Sequence, residues 1–341
     1  MIELLKELCL ANGVSGDEDA VRELIISKLS EIKNVSYEID ALGNLIVKKQ
    51  GEKEPANKVM LSAHMDEVGL IVTYINSDGT LKFDTVGGVN SAVIFGKRVR
   101  VGKSGIVGVI GSVAVHNVDK EKHDVVPDVE EMTIDIGACD RDEAEKLVSK
   151  GDAVYFDSQF IEFGDDCVKS KAIDDRAGCS IMLEMLKGEL EYTTYFCFVT
   201  QEEIGLRGSK TAAFSVNPDY AIVLESTTAS DIPSASDEKQ VCKLGKGAVV
   251  SFMDRSTAYN RRLYDEAFEI AKAESIPCQT KTMIAGGNDA GSIHLSCGGV
   301  KTVSISIPCR YLHSPSCVIK KSDYDAVKEL AIKLSAHFYN R

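Results

Sequence analysis

Apolar and polar positions follow a helical rhythm over the first thirty or so residues and switch to strand-like runs from residue 35 onward. Residues 2–10 and 18–32 predict helices, the second with Val21, Leu24, Ile25 and Leu29 on one face. Ser15-Gly16-Asp17-Glu18 ahead of it has the spacing of a capping box. Residues 35–39 and 44–48 predict strands around a Leu42-Gly43 turn, and residues 58–64 a third. That third strand delivers His64 and Asp66. Side chains two apart on a strand point the same way, so these two meet on one side if the strand persists that far.

Between about residues 67 and 165 the texture changes. Short β-rich pieces (70–75, 80–83, 92–101 and 106–115) alternate with glycines, and only 141–150 reads as helix. The pattern predicts a small all-β insertion interrupting an α/β domain. Gly102-Lys103-Ser104 inside it is not a phosphate loop, because Gly96 lies one residue too far back and β-like sequence follows.

Beyond residue 165 the α/β rhythm returns. Asp174-Asp175 leads into a helix over 179–186, and the apolar strand 194–199 ends shortly before Glu202-Glu203. A short helix over 209–214 precedes strand 220–224, which ends at Glu225. Gly245-Lys246-Gly247, before strand 248–252, lacks the third glycine of a dinucleotide fingerprint. A helix over 261–273, a strand over 278–282 and a short helix opening at Gly286-Gly287-Asn288-Asp289-Ala290-Gly291 follow. Strand 302–307 then runs on to His313, and a helix over 322–338 closes the chain.

At 341 residues the chain has room for two domains, or for one large α/β domain with an insertion. Its 44% hydrophobic and 27% charged residues are ordinary globular usage. A formal charge of −13 argues against nucleic acid and anionic membrane as partners, both of which need a basic footprint. The amino-terminal stretch lacks the pattern of a secretory signal, and no apolar run reaches the roughly 18 residues of a membrane span. A cytoplasmic location is the expectation. The ten cysteines have no C-x-x-C spacing, which predicts reduced, mostly buried thiols and no thiolate metal site.

Metal-grade side chains thus stand at the ends of four strands or strand-to-helix loops: His64 with Asp66, Asp174 with Asp175, Glu202 with Glu203, and Glu225. His313 follows a fifth strand. Each alone has an ordinary explanation: a strand histidine, a helix cap, a solvated glutamate pair. Together they call for another, since open α/β sheets gather ligand sites beyond the carboxyl ends of their strands. Imidazoles and carboxylates without thiolate suit zinc, cobalt or manganese. His116, His123, His294 and His337 gain no such support. Ser15 misses the G-x-S-x-G elbow and follows no strand, which speaks against a serine hydrolase.

Taken in order, His64-Met65-Asp66, Ala172-Ile173-Asp174-Asp175-Arg176, Gln201-Glu202-Glu203-Ile204-Gly205, Gly286-Gly287-Asn288-Asp289-Ala290 and Pro308-Cys309-Arg310-Tyr311-Leu312-His313-Ser314-Pro315 resemble the glutamyl aminopeptidase-like family. That group of two-metal aminopeptidases includes the TET peptidases and members labelled endoglucanase-like or deblocking aminopeptidase. The resemblance spans nearly the whole chain. It implies an α/β, mixed-sheet, zinc-exopeptidase-like catalytic domain over residues 1–66 plus 166–341. Residues 67–165 would be an inserted all-β dimerisation domain.

The resemblance further implies two divalent ions per subunit, zinc or cobalt foremost and manganese third. Asp174 would bridge them, His64 and Glu225 completing one ligand set and Glu203 and His313 the other. Glu202 would be the general base, and Asp66 would hold the His64 ring. The Asp174–Asp175 peptide is cis in such enzymes. Glu225 stands where the family more often has aspartate, and its extra methylene must be absorbed by backbone or by ligand geometry. The implied activity is removal of amino-terminal residues from peptides with a free amino terminus. The implied assembly is a homo-oligomer of dimers, up to a dodecamer. A glycosidase or amide deacylase on the same fold, and an inactive assembly protein, are the alternatives. The residue pattern does not fix the preferred amino-terminal residue.

Overall fold

The computed structural model describes residues 2–233 and 235–341. Its main sheet has eight strands in the order Val35–Ile39, Leu45–Lys49, Thr194–Val199, Val59–His64, Tyr220–Thr228, Lys301–Cys309, Ala248–Val250 and Cys278–Thr280. The four strands from Thr194–Val199 to Lys301–Cys309 are mutually parallel, whereas Leu45–Lys49 and Ala248–Val250 pair antiparallel at either side of them. Parallel neighbours place their carboxyl ends together. Those four ends bring Asp66, Glu202-Glu203, the Glu225–Thr228 stretch of the third strand and His313 to one side of the sheet.

The alternation of side chains across the sheet builds two unequal layers. Phe196, Phe198, Leu61, Ile222 and Leu224 face a thick layer formed by Ile2–Leu10, Asp19–Leu29, Ile173–Lys187, Arg261–Ala273 and Lys321–Phe338. Met60, Cys197, Val199, Ala221 and Val223 face the thinner layer of Arg207–Val216 and Ala290–Ile293. The rows Met60-Ser62-His64 and Ala221-Val223-Glu225 therefore run out on the thin side. There the helices are short and leave a cavity.

Six strands, Gly69–Ile75, Leu81–Val86, Thr133–Asp135, Ile106–Gly111, Arg98–Val101 and Ala153–Phe156, close into a small barrel with its own core around Leu70, Phe83, Val99, Ile110, Ile134 and Val154. A third sheet pairs Ile161–Phe163, Cys167–Ser170 and Cys317–Lys320. It ties the chain entering Asp174 to the chain leaving His313.

Several expectations need correction. Residues 91–94 form a helical turn, because the Asn90 side chain accepts the Ala92 N–H at 2.9 Å and caps it. Residues 115–117 are a 3₁₀ turn that follows the end of the Ile106–Gly111 strand. The capping box at the second helix does not form. That helix starts at Asp19 with no side-chain cap, because Ser15 and Glu18 turn toward other partners. The strand at Tyr220 continues through Glu225 to Thr228, since the Lys301–Cys309 partner extends equally far. Glu225 thus lies within a strand, not at its end.

Candidate metal centre

His64 is the last residue of its strand and is buried. Its Nδ1 lies 3.1 Å from the backbone oxygen of Asp66 and 3.4 Å from Asp66 Oδ1. The carbonyl is the nearer partner, so the ring is oriented first by backbone and then by the carboxylate. An Nδ1–H donor on that side frees Nε2 as a ligand. Nε2 faces Asp174 Oδ1 at 3.5 Å and Glu225 Oε2 at 3.8 Å.

Asp174 reaches the centre from the Ile173–Lys187 segment, whose first turn is not helical at Asp174 and Asp175 and whose Asp174–Asp175 peptide is cis. Asp175 caps the regular helix that follows by accepting the Gly178 N–H at 3.0 Å. The two adjacent acids have therefore separated roles. Arg176, fully buried, donates to the backbone oxygens of Leu8 at 2.6 Å and Ala11 at 3.0 Å and packs this segment against the first helix.

His313 arrives on a loop in a left-handed conformation (φ 56°), and its Nδ1 sits 3.0 Å from the backbone oxygen of Gly88. Gly88 follows the barrel strand Leu81–Val86, so the inserted barrel orients this ring. A Cβ at Gly88 would stand 3.2 Å from His313 Nδ1, so a side chain there would press on the ring. His313 Nε2 faces Asp174 Oδ2 at 3.4 Å and Glu203 Oε2 at 3.2 Å.

The two oxygens of Asp174 thus address two different imidazoles. Ligand atoms of His64, Asp174 and Glu225 lie within 4.8 Å of one another, and so do those of Asp174, Glu203 and His313. Asp174 Oδ1 and Glu225 Oε1 are buried without a hydrogen-bond partner. Buried oxygens of this kind are costly unless a cation or a proton meets them. The donor set of nitrogen and carboxylate oxygen fits divalent ions such as zinc, cobalt or manganese.

Glu202 lines the same cavity, of about 560 Å³, and no hydrogen bond or ion pair among the described residues ties its carboxylate down. Its backbone is fixed instead: its N–H donates to Asp66 Oδ1 at 3.0 Å, and the Glu203 N–H donates to Asp66 Oδ2 at 3.1 Å.

The electrostatics of the cluster follow from crowding five carboxylates and two imidazoles out of water. Burial pushes Glu202 and Glu225 well above the usual carboxylate range, with neighbouring carboxylates adding to it against the opposing pull of His64. Burial likewise carries Glu203 up to about 8. Burial also raises Asp174, but the His313 and His64 imidazoles that face its two oxygens outweigh it and hold that carboxyl low. Burial works to lower both imidazoles, yet Asp174 and Asp66 hold His64 well above its ordinary value, and Asp174 and Glu203 hold His313 at about 9.

Every residue singled out in the sequence as a ligand or base is in this cluster: His64, Asp66, Asp174, Glu202, Glu203, Glu225 and His313. Gly88, Ser15, Glu18 and Lys281 were missed. The Gly87-Gly88 pair after a strand was the only local sign of the first, and the capping-box pattern masked the second and third.

The geometry agrees with what the chain resembles as a whole. A family model described as M42 glutamyl aminopeptidase matches residues 43–330. A lysyl aminopeptidase of Pyrococcus furiosus is 34% identical over 96% of this chain and 95% of its own. A solved structure of the Pyrococcus horikoshii TET1 peptidase, which assembles into a tetrahedron or a large octahedral shell, is 34% identical. It covers 98% of each chain, with a TM-score of 0.86. A structure titled an endoglucanase from Thermotoga maritima is 37% identical over 97% of this chain and 95% of its own, with a TM-score of 0.79. The chain belongs to the M42 glutamyl aminopeptidase family and is, as a member of it, a metal-dependent peptide hydrolase of the aminopeptidase kind.

Proposed function

We propose that the chain removes amino-terminal residues from peptides at a centre that would hold two divalent ions, with Asp174 as the ligand shared between them. His64 and Glu225 would complete one ligand set, and Glu203 and His313 the other. The single observation that carries this reading is the placement of Asp174 Oδ1 and Oδ2 toward two separate imidazoles, each with a further glutamate. When bound, a pair of divalent ions lowers the pKa of a water and polarises the scissile carbonyl. Zinc or cobalt suits the donor set best.

Glu202 acts as the general base. Its carboxylate is free to reach a water in the cavity, and burial gives it the raised proton affinity such a role uses. It removes the water's proton as the water attacks the carbonyl carbon, then delivers that proton to the amine as the peptide bond breaks. Glu203 has the same side chain but faces His313, so it serves as a ligand. Asp66 holds both of their backbones and the ring of His64. The additional methylene of Glu225 is accommodated by its position inside the strand, which sets the carboxylate on the His64 side of the sheet.

In this reading residues 67–165 are the dimerisation unit and residues 1–66 with 166–341 the catalytic one. The barrel strand Ile106–Gly111 exposes Val107 and Val109, which supports pairing there. Assembly of dimers into a dodecamer follows by analogy with a solved TET1 structure described as a dodecamer. Ten free cysteines and the absence of any helix long and apolar enough to cross a membrane among the described residues support a cytoplasmic site of action. A glycosidase needs two carboxylates and no imidazole pair, so the endoglucanase title of one relative does not carry over.

Hydrolysis of aminoacyl chromogenic substrates after full chelation, with zinc, cobalt or manganese restored one at a time, tests this function. The expected result is loss on chelation, recovery with at least one ion and no cleavage of amino-terminally acetylated substrates. Chelator-resistant cleavage of β-glucans with no peptide hydrolysis would overturn it.

A further inference from the structure

The turn that carries Glu202 leaves its strand through Gln201, whose φ of 56° lies in the left-handed region. A residue with a Cβ holds that conformation only where its surroundings fix it. We infer that the loop over residues 13–18 is what fixes it, with Glu18 as the principal positioning residue and Ser15 as the second. This inference rests on Glu202 being the base.

Glu18 Oε1 accepts the Gln201 N–H at 3.1 Å and the Gly16 N–H at 2.8 Å, and Glu18 is only 4% exposed. A carboxylate so placed, itself withdrawn from water, is held by its two donors and in turn holds them. Three residues earlier, Ser15 Oγ donates to Asp66 Oδ2 at 2.6 Å. That oxygen also accepts the Glu203 N–H, and its neighbour Oδ1 accepts the Glu202 N–H. One short loop therefore grips three successive backbone N–H groups of the base turn: Gln201 directly, Glu202 and Glu203 through Asp66.

The loop is anchored from both sides. Gly13 N–H donates to Glu67 Oε1 at 3.2 Å, and the Tyr155 hydroxyl of the barrel donates to the Asp17 carboxylate. Neither Ser15 nor Glu18 lines the substrate cavity, so neither touches substrate. Their effect reaches the reaction only through where Glu202 is held. A displacement of the base by about 1 Å costs on the order of a hundredfold in rate. Substrate binding, which depends on the cavity walls, is left nearly unchanged.

The test uses the full-length, metal-loaded protein with Glu18→Ala and Glu18→Gln, each alone and combined with Glu202→Gln. For each, kcat, KM, metal content and Tm are measured. Glu18→Ala is expected to lower kcat about 10- to 100-fold with KM within about threefold of wild type. Glu18→Gln is expected to recover most of that loss, since an amide oxygen accepts both N–H groups. On the Glu202→Gln background, Glu18→Ala is expected to cost less than about threefold more, because residues acting through one another are not additive. A Glu18→Ala enzyme within twofold of wild-type kcat, a Glu18→Gln enzyme no better than Ala, or fully additive losses would overturn the inference. If Glu18→Ala does not fold, Ser15→Ala takes its place, with a several-fold loss of kcat and the same non-additivity expected; an unchanged kcat counts against the inference. Wild-type activity in Glu202→Gln alone sinks the base reading, an outcome distinct from failure of the Glu18 variants.

Discussion

Asp66 Oδ1 accepts the backbone N–H of Glu202 at 3.0 Å, so the proposed base is placed by a residue that is neither its neighbour in sequence nor a member of the proposed ligand sets. The same carboxylate takes the Glu203 N–H, the Ser15 hydroxyl and the approach of His64 Nδ1. An asparagine offers one acceptor oxygen and turns an NH₂ toward the N–H of Glu202 or Glu203. Asp66→Asn should therefore lower kcat or metal affinity about 10- to 100-fold, as outer partners of metal sites do. Metal content measured beside kcat separates the two losses, and a variant with neither would contradict the placement.

Lys281 predicts a side-chain preference. It is 7% exposed and lines the cavity with Glu225 and Thr228, and its Nζ donates to the backbone oxygen of Ala285 at 2.8 Å. Among the described residues it forms no ion pair, so an ammonium with spare donors borders the cavity. Peptides beginning with Glu or Asp should be preferred, and Lys281→Met should cut kcat/KM for them by about 2–5 kcal/mol, roughly thirtyfold or more, with little effect on Leu or Ala substrates. Equal losses for acidic and apolar residues would count against the assignment. Dipeptides with free and amidated carboxyl termini distinguish a carboxylate on the first side chain from the terminal one.

Arg310 holds Asp231 in a two-pronged pair, Nε to Oδ1 at 2.7 Å and Nη2 to Oδ2 at 2.8 Å, three residues before His313. Burial raises the Asp231 carboxyl, but the Arg310 and Leu244 N–H groups prevail and hold it below the usual carboxylate range. A carboxyl depressed by folding adds stability above its unfolded pKa and loses it as pH falls through the folded one. Arg310→Met should consequently destabilise the protein at neutral pH and much less at a pH below both values. Urea unfolding of variant and wild type over a series of pH values falling from about 7 reads the difference. A loss that stays equal across the series would refute the pairing as a source of stability.

Local patterning carried much of this architecture. The strand Thr194–Val199 and the helix Arg261–Ala273 have the bounds their residue patterns predict, because each is set by its own periodicity and flanked by clear stop signals. The ligand residues were legible because strands of a parallel sheet deliver their ends to one place. What stayed hidden depends on pairings distant in sequence. The length of the Glu225 strand is set by Lys301–Cys309, and closure of the barrel needs the three-residue strand Thr133–Asp135, too short to leave a pattern. The orientation of His313 comes from Gly88, more than two hundred residues earlier. Ser15 and Glu18 matched a capping box by spacing, but the donors of the base turn compete for the same oxygens and win.

The division of labour between Glu202 and Glu203 is tested most directly by Glu202→Gln. Hydrolysis of an aminoacyl substrate and metal content are measured on the same preparation. The expected result is a protein that still binds its metal ions and retains its fold, with kcat reduced at least about a hundredfold, at the lower end of what a positioned acid–base group supplies. A Glu202→Gln protein that turns over at the wild-type rate would contradict it.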